Sequence, residues 1–161
     1  MEEQEKIVRE LFEKMESAYG QSPKEVEPRE GEKYRFIWKL KTNEDDSVYG
    51  LYQMGDWIYI RGLTIKYGDS EESKIYPMMN ELNDICHYGV FTKLPEDYGF
   101  AIEQNHFCRS NSLSVDELWH LISKMYERMT QFYLTAELVI EKGVDPIEAV
   151  LKIEKDLKYK Q

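Results

Sequence analysis

Between Gln4 and Tyr19 apolar residues recur every three or four positions, with Ile7, Leu11 and Met15 on one line and Val8, Phe12 and Tyr19 beside it. That spacing matches the α-helical turn and predicts an amphipathic helix stopping at Gly20. Glu2/Lys6, Glu5/Arg9 and Glu10/Lys14 add i,i+4 pairs in the favourable order. Residues Gln21 to Glu32, with Pro23, Pro28 and Gly31, read as a loop. From Lys33 the period changes to two: Tyr34, Phe36, Trp38 and Leu40 alternate with Lys33, Arg35, Lys39 and Lys41, and Ile37 is the exception. The alternation predicts a strand with one buried and one wet face. A polar turn from Thr42 to Ser47 leads to strands at Val48 to Met54 and Trp57 to Lys66, joined by the two-residue hairpin signal Gly55-Asp56.

After Gly68-Asp69-Ser70 a helical segment runs to Tyr88-Gly89, and Pro77 requires either that the helix begins there or that it kinks. Val90 to Leu94 and Phe100 to Arg109 read as strands around a turn at Pro95 to Gly99. Ser114 and Glu117 form a capping box opening a long helix. Its stripe of Leu118, Leu121, Ile122, Met125, Met129, Phe132, Tyr133, Ala136 and Ile140 is widened by Trp119 and Tyr126 and lasts to Lys142-Gly143. Asp145 and Pro146 start a last helix, with Ile147, Val150, Leu151 and Leu157 expected inward. The order α-βββ-α-ββ-α predicts an α+β fold: an antiparallel sheet of about five strands with helices on one face. One domain is expected over 1–142, with a helical extension over 143–161 packed on it.

Composition narrows the function classes. In 161 residues, 31 acidic side chains against 21 basic ones give a net charge of −10, the wrong sign for a nucleic-acid binder. An aromatic share of 13% argues against a disordered acidic chain. The amino terminus lacks a basic opening and an apolar stretch, and no run reaches the ~20 apolar residues of a membrane span, so a cytoplasmic protein is expected. Cys86 and Cys108 are too few for a disulfide framework and are expected as thiols.

Phosphate-loop, zinc-protease, Cys-x-x-Cys and nucleophile-elbow motifs are absent from the sequence. Cys86, His87, His106 and Cys108 are the sharpest remaining constellation. Adjacent Cys86 and His87 diverge on a helix, so no metal and no cofactor is expected. Glu44, Asp45 and Asp46 lack the spacing of a calcium loop and read as a solvated turn. Lys33, Arg35, Lys39 and Lys41, with Arg61 on a later strand, form a basic set suited to an acidic partner, or to blunting strand edges.

Met79-Asn80-Glu81-Leu82-Asn83 followed by Gly89-Val90-Phe91 resembles the YbjN family, whose second helix carries a hydrophobic-Asn-x-x-Asn motif before a Gly-x-Phe strand entry. Asn80, Asn83, Gly89 and Phe91 match, and Leu113-Ser114-Val115-Asp116-Glu117-Leu118 is similar to the opening of that family's long helix. The resembling stretch runs from about Tyr76 to Tyr133, within an element order similar to type III secretion chaperones. The resemblance implies a regulator of sensory transduction or a small acidic chaperone, with no catalytic residues. A helical Asn facing a loop can also satisfy backbone groups left unpaired there, which gives the motif a structural role.

The resulting expectation is a non-enzymatic, chaperone-like or regulatory module that binds a polypeptide along its sheet, with the basic strand side chains as contacts. Charge reversal of Lys33, Arg35, Lys39 and Lys41 is expected to leave melting nearly unchanged. The apolar arc through Trp119, Tyr126 and Tyr133 predicts a homodimer unless the last helix folds back over it. A small metal-dependent or His/Cys-using enzyme, and a structural subunit docking through its C-terminal helices, are the alternatives.

Overall fold

The period-two pattern of Lys33 to Lys41 becomes a strand whose Tyr34, Phe36 and Trp38 are buried while Lys33, Ile37 and Lys39 are exposed. The computed structural model describes residues 2–20, 23–41, 46–64, 67, 71–85, 88–94, 99–108 and 111–159. In chain order the elements are α1 (Glu3–Tyr19), β1 (Lys24–Val26), β2 (Glu32–Lys41), β3 (Asp46–Met54), β4 (Trp57–Thr64), α2 (Glu72–Ile85), β5 (Val90–Lys93), β6 (Phe100–Phe107), α3 (Val115–Ala136) and α4 (Pro146–Tyr159). The turns expected at 42–45, 68–70 and 95–98, and the pair Cys86 and His87, lie outside the described residues.

The sheet is antiparallel throughout, in the order β1-β2-β3-β4-β6-β5. It has six strands, one more than the sequence predicts. The addition is β1, inside the segment read as a loop: Lys24 pairs with Ile37, Glu25 with Phe36 and Val26 with Arg35. Between Pro23 and Pro28 the segment is too short to show a period, and contact with α1 holds it. Arg9 reaches from α1 to Glu25 at 2.7 Å while also pairing with Glu5 at 2.8 Å.

One face of the sheet carries the core. Phe12 of α1 packs on Phe36 and Trp38, Tyr126 of α3 on Tyr49, and Phe132 of α3 on Phe91 and Phe100. Two polar pairs in this layer are matched. The Trp38 indole N–H donates to Tyr126 Oη at 2.6 Å, and Tyr34 Oη donates to Gln53 Oε1, also at 2.6 Å. Burial pushes the Tyr34 phenol above its ordinary pKa, so it stays a neutral donor.

The helices follow the signals of their ends with two corrections. Ser114 caps α3 by accepting the Glu117 N–H at 3.1 Å, and α3 continues as a π-helical turn, Glu137–Glu141, which keeps Leu138 and Val139 buried. Pro77 does not start α2, which begins at Glu72 and carries the proline inside it. Its ring falls near the start, where the carbonyl left without a donor belongs to exposed Ser73 and can bind water. In α4 the inward residues are Ala149, Val150 and Ile153, whereas Ile147 and Leu151, expected inward, are each 52% exposed. α4 packs against α2 and α3 with Ala149 and Val150 fully buried. Its buried residues join the same core as the sheet.

Candidate functional site

The second face of the sheet is the site. Among the described residues no helix covers it. The register brings its side chains into rungs across the strands: Met54, Trp57 and Phe107 in one, Arg35, Tyr52, Tyr59 and Asn105 in the next, then Ile37, Gly50, Arg61 and Glu103, then Lys39, Val48 and Leu63. Met54 is 39% exposed, Trp57 43% and Phe107 54%, and the last two rings meet at 5.1 Å. An isolated apolar side chain on a surface is ordinary; three in register on adjacent strands form a patch.

In the second rung Tyr52 and Tyr59 stack at 4.9 Å with their planes only 6° apart, and the Arg35 guanidinium lies 4.3 Å from the Tyr52 ring centre. Both faces of Tyr52 are therefore occupied. Partial burial holds the Tyr52 phenol above its ordinary pKa, so Tyr52 itself is uncharged at neutral pH.

The predicted basic residues separate into different environments. Lys33 pairs with Glu2 at 2.7 Å, and Arg61 pairs with its cross-strand neighbour Glu103 at 2.5 Å. Lys39 is exposed, and neither it nor Lys24, beside Ile37 on β1, forms an ion pair among the described residues. Lys41 closes β2 opposite Asp46. Arg35 is half-buried and pairs with Glu32, whose side chain is only 4% exposed. The Arg35→Glu change would set two carboxylates against each other there, so the expectation that the fourfold charge reversal leaves melting unchanged is corrected. A neutral test of the face must spare Arg35.

The Arg35 guanidinium, helped by the Arg29 backbone N–H, holds the Glu32 carboxyl below its ordinary pKa, and Arg9 does the same for Glu25. A lowered folded-state pKa contributes stability that is complete above the ordinary carboxylate value, about 4.3, and is lost as the pH falls through the folded value. Acidification below about pH 4 is therefore expected to destabilise the chain, and Glu32→Gln to lose less over that range than the parent. Urea unfolding of both at about pH 6 and about pH 3 measures this, and equal acid losses would remove Glu32 from the account.

The remaining candidates do not converge. Cys108 donates its thiol to the Asp56 carbonyl at 3.0 Å, and burial, then the Asp56 carboxylate, pushes its pKa up, while the His106 ring lies 3.1 Å from Gln104 Nε2. Among the described residues no three His, Cys, Asp or Glu side chains are grouped to hold a metal ion. Of the interface candidates, Tyr133 is buried against Tyr67 and Phe132, and Tyr126 is spent on Trp38 and Tyr49. Half-buried Trp119 packs edge-on to Tyr126. The arc that predicts a dimer is thus largely used within the chain.

Asn80 is exposed on α2, but Asn83 donates its amide to the Phe91 carbonyl at 3.0 Å and accepts the Phe91 N–H at 2.8 Å. No family model, curated protein or solved structure matches this chain. The site therefore rests on geometry. Sequence reading missed Trp57, Phe107, Met54 and Lys24; the alternation of Trp57, Tyr59, Arg61 and Leu63 with buried Ile58 and Ile60 is the signal that places Trp57 on the outer face.

Proposed function

We propose that this protein is a non-enzymatic module of the YbjN type that binds a polypeptide partner, in a chaperone-like or regulatory role, through the outer face of its sheet. The observation carrying the reading is the patch of Met54, Trp57 and Phe107 on the same sheet face as the cations of β1 and β2, a face with no described helix over it. Aromatic rings with nearby cations supply the anchors that polypeptide interfaces favour. No described helix is long and apolar enough to cross a membrane. The proposal places the chain in the cytosol, which suits the free thiol of Cys108.

A second reading, docking or self-association through the C-terminal helices, is favoured by Ile147 and Leu151, exposed one turn apart on α4. Crosslinking mass spectrometry of the chain with the polypeptides it retains separates the two. Crosslinks on β2 to β4 and β6 are expected, and crosslinks confined to α4 would favour the second reading. Trp57→Ser combined with Phe107→Ser is expected to weaken retention about tenfold or more while moving the melting temperature little, because exposed aromatic anchors contribute more to binding than to folding. Turnover of a small molecule abolished by His106→Ala would overturn the non-enzymatic reading.

A further inference from the structure

We propose that the segment this face accepts is an acidic, extended polypeptide that seats an apolar side chain on Trp57 and Phe107 and its carboxylates on Lys24 and Lys39. The inference rests on the polypeptide-binding reading and adds the partner's chemistry. Acidic side chains outnumber basic ones 31 to 21 in the chain, so a cation here has acids in excess to pair with. Lys33, Arg35 and Arg61 each have one, whereas Lys24 and Lys39 stand at one end of the outer face with no ion pair among the described residues. The Glu-rich α1 packs on the opposite face of the sheet and repels an acidic partner from that surface.

The spacing sets a pattern. From the Met54 and Trp57 rung to the Val48 and Lys39 rung the strands extend for about 20 Å, the length of about six residues of an extended segment. An aromatic or large aliphatic residue about six positions from a pair of carboxylates therefore spans the face. Engagement of the face instead of a β5 edge follows from Asn83, which occupies the outward N–H and C=O of Phe91. Single-stranded nucleic acid fits less well, because Arg35 and Tyr59 already cover both faces of Tyr52 where a base would stack, and the net charge is −10.

The test is selection of a random displayed-peptide library on the immobilised full chain, followed by titration of the selected peptides against variants whose melting is checked in parallel. Enriched sequences are expected to combine carboxylates with an aromatic or large aliphatic residue. Their affinity is expected to fall about tenfold or more with Lys24→Glu plus Lys39→Glu, and again with Trp57→Ser. Enrichment of neutral or basic peptides, or acidic peptides indifferent to these variants, would overturn the inference and leave polypeptide binding standing. Failure to enrich any peptide would sink both. Tight binding of oligothymidylate lost in the same variants would assign the face to nucleic acid and overturn the inference.

Discussion

Gly89→Ala is expected to reduce the unfolding free energy by about 2–5 kcal/mol, from two causes that add at this position. Gly89 has φ +76°, where a side chain costs about 1–2 kcal/mol. A Cβ there would also lie 2.8 Å from Ile102 Cγ1 and 2.9 Å from its Cδ1, with the Glu103 carbonyl oxygen at 3.3 Å. Ile102 is fully buried, so it cannot swing into solvent, and overpacking of this kind costs about 1–3 kcal/mol. Gly55→Ala separates the causes, since Gly55 has φ +55° and no neighbour within 4 Å of the added atom. Denaturant unfolding should show the smaller loss at Gly55, and equal losses at the two positions would remove the steric part of the argument.

Gly89 also shows what the sequence could and could not convey. Its match to a Gly-x-Phe strand entry marks the turn into β5, but the close approach to Ile102 depends on β6 lying beside β5. Strand order is not written in a local period. Alternation reveals which residues of β2 and β4 are buried, because a half-covered strand must alternate; it does not reveal that β6 inserts between β4 and β5. The site follows the same division. The wet, basic side of β2 is legible from residues two apart, whereas Trp57 and Phe107 are far apart in sequence and meet only through the pairing of β4 with β6.

Helix phase is the other limit. In α3 the stripe is narrow enough to fix the buried side, and Leu118, Ile122, Met125 and Phe132 are fully covered. In α4 apolar residues occur around more of the circumference, so spacing allows more than one rotation. Close packing of Ala149 and Val150 selects the one that leaves Ile147 and Leu151 outside. Amide side chains are equally ambiguous from sequence. Gln4 makes two hydrogen bonds to the backbone of Leu113 and joins α1 to the segment before α3, a long-range contact that no local spacing announces.

Asn83→Ala is expected to cost about 2–6 kcal/mol and, in addition, to make the chain associate as its concentration rises. The amide of Asn83 does for Phe91 what a neighbouring strand would do, giving a donor to its carbonyl and an acceptor to its N–H. Phe91 is 2% exposed, so water has little access to replace either bond, and each group left unsatisfied costs about 1–3 kcal/mol. β5 is the last strand of the sheet, and its outward groups are a template for another chain once the amide is gone. Asn83→Asp keeps the acceptor but sets a carboxylate against the Phe91 carbonyl, so it is expected to destabilise as well. Urea unfolding measures the first effect and sedimentation over a range of concentrations the second. Stability within about 0.5 kcal/mol of the parent would show that the amide is replaceable by water. Lost stability without association would mean that α2 still shields the strand, making Asn83 a brace for the edge and not its cover.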